Sequence, residues 1–406
     1  MNRPHYAWAV CLGGCLSLFT VVGLGINIYS VYQPYIIEFN QFTNAQGSLI
    51  TTVRSLFSLA AMLTVNQLCA RFGLRQVMTL GMAMMTLSCL CFGLADRFVL
   101  YCAGSALSGL GYCYGGMVPL SLVIGHWFRD RRGLALGLAS AGSGLSTVIA
   151  SPAVTSIIEG HGLAAAFFAE SAVIFVLTLL VWTLVRSSPE DMGMSPYHLG
   201  GEAADLPPAR KAPAGLHRGD ILALLFAGFL IGAPAGPGFS HLTVLYTSSG
   251  YDSMAVAGFL SVFGLMICVG KIVCGQIFDA IGGWLGNFYI FGVLLAAFGL
   301  SFLAPLGGEI LPYAAMTLFG LGLPISSVPF AVWAQDLAGD EGYATTLRSL
   351  TVAFALGMLV CGPVPGMLAD RLGSYVPAYM LFALLTLVAM GILQFIYRRL
   401  GVGRKA

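Results

Sequence analysis

Stretches of about twenty apolar residues recur along almost the whole chain, and that repetition leaves few folds open. A helix that crosses a bilayer needs about 20 mostly apolar residues at 1.5 Å rise each. Such stretches run over Ala7–Ile37, Ala45–Cys69, Gln76–Ala95, Phe98–Gly125, Gly133–Ile158, Ala164–Val185, Ile221–Tyr246, Met254–Phe278, Leu285–Leu306, Leu311–Trp333, Tyr343–Ala369 and Tyr375–Tyr397. Charged residues make up 9% of the chain and hydrophobic ones 58%. A soluble domain carries roughly 25% charged residues, so this chain cannot clothe a surface in water. The expected fold class is an all-α membrane protein with twelve transmembrane helices. The first stretch is long enough to remain as a span and lacks the layout of a cleaved leader.

Six stretches precede the polar segment Arg186–Gly219 and six follow it. That segment holds Pro207, Pro208, Arg210, Lys211, Pro213 and Arg218, and reads as a linker. The expected domains are residues 1–185, a six-helix bundle; 186–219, a cytosolic linker; and 220–406, a second six-helix bundle. Loop charge sets orientation, because Lys and Arg stay on the cytosolic side. Of the nineteen Lys and Arg residues, fourteen fall on one side: Arg3, Arg71, Arg75, Arg129, Arg131, Arg132, Arg186, Arg210, Lys211, Arg218, Arg398, Arg399, Arg404 and Lys405. Arg97 and Arg371 fall on the other. Both termini are therefore expected in the cytoplasm, in an inner (plasma) membrane. Segments such as Gly232-Ala-Pro-Ala-Gly-Pro-Gly238 should kink or unwind the seventh helix. The many glycines, among them Gly137 and Gly142, fit close helix packing in lipid.

A six-plus-six layout with a basic central linker resembles the major facilitator superfamily, whose substrate lies near the membrane midplane. Three segments resemble the monocarboxylate transporter family and its bacterial oxalate/formate antiporter relatives. The most specific is Gly125-His-Trp-Phe-Arg-Asp-Arg-Arg-Gly-Leu-Ala-Leu-Gly-Leu-Ala-Ser-Ala-Gly142. The second is Tyr246-Thr-Ser-Ser-Gly-Tyr-Asp252 followed by Ala257-Gly-Phe-Leu-Ser-Val-Phe-Gly264. The third is Gly362-Pro-Val-Pro-Gly-Met-Leu-Ala-Asp370 with Gly373-Ser-Tyr375. Arg71-Phe-Gly-Leu-Arg75 and Tyr29-Ser-Val-Tyr-x-Pro34 add weaker support. Gly275-Gln-Ile-Phe-Asp279 is similar to a superfamily loop motif, whose counterpart after the second helix has Ala70 in place of the acid.

A charge inside the bilayer is costly and by default faces a cavity. Three cations fall within spans, Arg54, Lys271 and Arg348, against one clear acid, Glu170. Fixed positive charge in a low-dielectric cavity attracts anions, which points to an anionic substrate without any appeal to family. Lys271 lies roughly 22 Å into the eighth stretch at 1.5 Å per residue, too deep for easy snorkelling. The resemblance implies that Lys271 stands where the family has a substrate-binding Arg. The family's neighbouring acid falls on Ile267, so that proton-relay pair is missing here. Arg348 lies near the cytosolic end of its stretch and either binds substrate or snorkels to the interface. Arg54 is a ligand or a structural cation. Glu170 is a proton-coupling candidate, or else the partner of Arg54 or Lys271. Asn27, Tyr114 and Ser326 are candidates for shaping the substrate pocket, or else helix–helix hydrogen bonds.

Nothing in the chain resembles a nucleophile elbow, a P-loop or a metal cluster, so no enzyme, cofactor or metal is expected. The net charge of +2 gives no reason to expect nucleic acid. Ten cysteines sit in apolar runs, where they act as small hydrophobes. The expected function is movement of a small organic anion, most simply a monocarboxylate, by alternating access with or without protons. The alternatives are an exporter of drugs or other organic solutes of the same superfamily, and a membrane nutrient sensor.

Overall fold

The computed structural model describes residues 5–129, 132–198, 213 and 216–403. Arg3, Asp130, Arg131, the linker residues 199–212 and the tail residues Arg404 and Lys405 lie outside the described residues. The described chain is almost entirely helical. Six membrane-length helices come first: α1 (Ala7–Phe39), α2 (Asn44–Phe72), α3 (Leu74–Gly93), α4 (Phe98–Trp127), α5 (Leu134–His161) and α6 (Leu163–Leu184). Next comes α7 (Arg218–Ser240), then a continuous run Ser253–Phe302. That run breaks at Gly282 (φ 78°, ψ 172°), a conformation open to glycine. The break divides it into α8 (residues 253–281) and α9 (residues 283–302). The chain ends with α10 (Ile310–Gly339), α11 (Glu341–Leu372) and α12 (Val376–Leu400). The fold is thus an all-α membrane bundle of twelve helices among the described residues.

The chain divides into two compact units, Met1–Phe42 with Val53–Ala204, and Thr43–Thr52 with Asp205–Ala406. Both draw on α2, whose first turns cluster with the second unit and whose remainder clusters with the first. The described start of the segment 186–219 packs on the first unit. The Trp127 indole donates to the Arg186 carbonyl (2.8 Å). Tyr197 exchanges backbone bonds with Trp127 (2.8 Å) and Arg129 (3.0 Å), and its ring meets His5, Trp8 and Phe128. The aromatic pair of the 125–142 motif therefore fastens the segment that follows α6.

Broken helices mark both units. In α1 a π-helical run occupies Phe19–Asn27 before the α-helix resumes at Tyr29. Single-turn π bulges are usual, often at functional sites, so nine residues of it mark an unusual stretch. The seventh helix behaves as its Pro/Gly content predicts: it turns at Gly236 (φ −95°, ψ −82°), runs on as Pro237–Ser240 and, past His241, as Leu242–Ser248. Small residues let helices touch. A Cβ on Gly142 would collide with the Cys15 carbonyl of α1. Gly137, also expected in close packing, faces open space instead.

Candidate anion and proton sites

In the first unit, Arg54 lies where α2 crosses α4. The crossing is tight, since a Cβ on Gly109 of α4 would collide with the Arg54 carbonyl. Arg54 is only 7% exposed. Its guanidinium lies 5.2 Å from the centre of the Tyr29 ring, with Tyr112 of α4 as its second aromatic neighbour. Among the described residues it makes no ion pair. A ring quadrupole is worth about 0.5–2 kcal/mol to a cation, well short of the several kcal/mol that desolvating the charge costs. The arrangement holds a positive charge in position and leaves it able to take an anion.

Glu170 of α6 is also buried, at 6% exposure, its Oε2 included. Among the described residues it makes no ion pair with Arg54 of the same unit. Its neighbours are Tyr32 of α1 and Cys89 of α3. The Tyr32 ring stacks on Phe167, one turn before Glu170, at 4.0 Å and 13°. A line of rings connects the two charges: Tyr29 meets Phe92 at 5.5 Å, and Phe92 meets Phe167 at 5.3 Å. Gln33, 1% exposed, has neither amide atom bonded.

The two polar pocket candidates of this unit have helix–helix partners. The Asn27 amide donates to the Ser143 carbonyl (3.3 Å) and Thr147 Oγ1 (3.0 Å) of α5. The Tyr114 hydroxyl bonds Thr64 Oγ1 (2.9 Å) of α2.

In the second unit, Lys271 is half-buried on α8. The preceding Gly270 packs so closely on α10 that a Cβ would lie 2.7 Å from the Gly320 carbonyl. Ile267, one turn earlier on the same helix, is 3% exposed. Ser326 ends a 3₁₀ turn, Leu323–Ser326, and is half-buried. Arg348 is exposed. A cavity of about 440 Å³ near the Gly282 break is lined by Asp279, Gln335, Asp336 and Tyr343.

His241 is a feature that the sequence reading passed over. It is fully buried, with Nδ1 2.8 Å from the Pro237 carbonyl and Nε2 2.8 Å from Ser48 Oγ. Asp370 caps the start of α2, accepting from the Asn44 and Ala45 amides at 3.0 and 2.8 Å. Tyr29 and Tyr32 were visible only as a family-like motif. The signal available was an aromatic pair three residues apart on one helix face.

A family model described as Major Facilitator Superfamily matches residues 15–349. Bovine (Bos taurus) monocarboxylate transporter 13 is 24% identical over 394 residues, covering 96% of this chain and 88% of that protein. The MFS-type transporter hasB of Aspergillus fumigatus is 27% identical over 410 residues, with the same coverage of 96% and 88%. Among solved structures, one of the nucleoside transporter NupG superposes with a TM-score of 0.73 at 10% identity, covering 96% of this chain and 100% of that one.

Proposed function

Because the chain belongs to the Major Facilitator Superfamily, and so is a transporter rather than an enzyme, we propose that it carries a small organic anion, a monocarboxylate, across the inner membrane by alternating access. The observation that carries this reading is Arg54: a buried cation held against tyrosine rings, with no carboxylate among the described residues to neutralise it. Lys271 supplies a second intramembrane cation in the other unit. A carboxylate that leaves water needs a fixed opposite charge to offset its desolvation. Embedded cations, of which Arg54 has no carboxylate beside it among the described residues, would favour anions over cations and neutral amphiphiles. The bovine relative, a monocarboxylate transporter by name, points to the same substrate class. Loop charge supports cytoplasmic termini.

The test is substrate sign. A ligand that binds only the native state raises its stability by mass action. Purified protein should gain thermal stability with monocarboxylates and not with organic cations. Labelled monocarboxylates should enter proteoliposomes that contain it. Stabilisation by cations alone would favour the exporter reading and overturn this one.

A further inference from the structure

The first unit holds its two buried charges apart. Arg54 faces Tyr29, and Glu170 faces Tyr32. The rings of Tyr29, Phe92, Phe167 and Tyr32 make a continuous chain of contacts from one to the other. The unit had a cation and an acid with which to build an ion pair and did not build one. That leaves Glu170 in an uncommon position. An ionised carboxylate at membrane depth requires a cation or several donors. The titratable groups facing Glu170 are Tyr32 from α1 and Cys89 from α3, neither of them a cation. On α5, which also packs on α6, Glu159 and His161 lie at the exposed end of the helix. The adjoining Ser171 spends its hydroxyl on the Thr86 carbonyl (3.0 Å) and gives Glu170 nothing.

Two buried polar groups meet at this place. The Tyr32 hydroxyl faces the Glu170 carboxyl within side-chain hydrogen-bonding reach, and Glu170 Oε2 is buried. A tyrosine hydroxyl both donates and accepts. It can donate to a carboxylate or accept from a carboxylic acid, so one partner serves both states of the acid. Stacking on Phe167 fixes the ring beside the same helix turn that carries Glu170.

We propose that Glu170 is a proton-binding site of the first unit, with the Tyr32 hydroxyl as its partner, and that it carries the proton which accompanies the transported anion. The site deepens the anion-transport reading and rests on it for the identity of the co-transported species. The step is a simple protonation: the Glu170 carboxylate takes a proton from water on one side and returns it to water on the other. No other bond changes. The anion and the proton then have separate places in one unit, at Arg54 and Glu170.

Two measurements test this, using the full chain reconstituted in lipid. The first needs no substrate: infrared pH-difference spectra in the carboxylic C=O stretching region. The wild type should show a protonated-carboxyl band that is lost in Glu170→Gln and shifted in Tyr32→Phe. Coincident spectra of wild type and Glu170→Gln would overturn the proposal, even if no monocarboxylate were found to move. The second uses a labelled monocarboxylate and an inside-alkaline pH gradient. Glu170→Gln should lose gradient-driven accumulation at least tenfold while keeping exchange of internal for external substrate. That exchange shows that the variant is folded. Accumulation equal to wild type would overturn the coupling role. Failure of the wild type to move any monocarboxylate would instead remove the anion reading, with the infrared result still deciding whether Glu170 binds a proton.

Discussion

α2 and α8 are each the second of six helices, and each carries a cation where it crosses the fourth helix of its set at a glycine. On α2 the crossing is Arg54 against Gly109; on α8 it is Gly270 against Gly320, with Lys271 the next residue. The repetition stops there. Arg54 lies ten residues past Asn44, about 15 Å along its helix, and Lys271 eighteen past Ser253, about 27 Å, at 1.5 Å per residue. Arg54 is buried against tyrosine, and Lys271 is half-buried. A repeated crossing thus provides equivalent positions on two helices, and the sequence places charge at a different depth in each. The two cations are not copies of one site, and they should fail differently when removed.

The largest effect is expected at Lys271. Lys271→Gln should reduce monocarboxylate uptake more than a hundredfold while the protein stays in the membrane. Removing one partner of a buried ion pair costs about 3–5 kcal/mol, and 1.4 kcal/mol is tenfold. Lys271→Arg should be tolerated better, since it keeps the charge, though a planar fork demands more room than an ammonium. Near-normal uptake by Lys271→Gln in proteoliposomes would show that the anchor is not on α8.

Arg54→Gln comes next, with a loss of uptake on the order of tenfold. Arg54→Lys should recover part of it. Lys keeps the charge but stacks less well on the Tyr29 ring than a planar guanidinium does. Equal losses at Arg54 and Lys271 would mean that depth does not distinguish them. Full recovery by Lys would mean that the ring contributes nothing.

Gly109→Ala perturbs the α2 crossing without touching a charge. The new methyl must push the Arg54 carbonyl aside, and overpacking typically costs about 1–3 kcal/mol. Thermal unfolding should fall accordingly, and Gly137→Ala, with nothing within 4 Å, should leave it unchanged. If both variants melt alike, the crossing is looser than its geometry implies.

The twelve helices were legible because lipid imposes a length on every crossing, and that length shows in the sequence as an apolar run. The embedded charges were legible for the same reason: Arg54, Glu170 and Lys271 interrupt such runs. What each charge meets was not legible. Asn27 bonds residues 116 and 120 positions away, and Tyr114 bonds one 50 away. No local pattern encodes which helix faces meet. The buried His241 was hidden for a related reason. Its partners are the Pro237 carbonyl one turn earlier and a serine 193 positions away. The stack that joins Tyr32 to Phe167 likewise depends on how α1 and α6 are rotated, and apolar runs on all sides of a helix conceal rotation.

The smallest effect should come at Arg348, which provides the contrast to both helices compared above. It too interrupts an apolar stretch, so hydropathy alone ranks it with Arg54 and Lys271. Exposure separates them: Arg348 is exposed on α11, whereas Arg54 is 93% shielded. A long side chain near a helix end can keep its stem in apolar surroundings and its head in water, and an exposed cation has no desolvation for a substrate to offset. Arg348→Gln should therefore lower uptake by less than about threefold, or less than about 0.7 kcal/mol at 1.4 kcal/mol per tenfold. Its small loss should appear at low ionic strength and fade with added salt, because exposed charges are screened beyond about 10 Å at 0.1 M. The loss at Lys271 should persist in salt. A large, salt-independent loss in Arg348→Gln would place the anion on α11 and make depth along α2 and α8 irrelevant to binding.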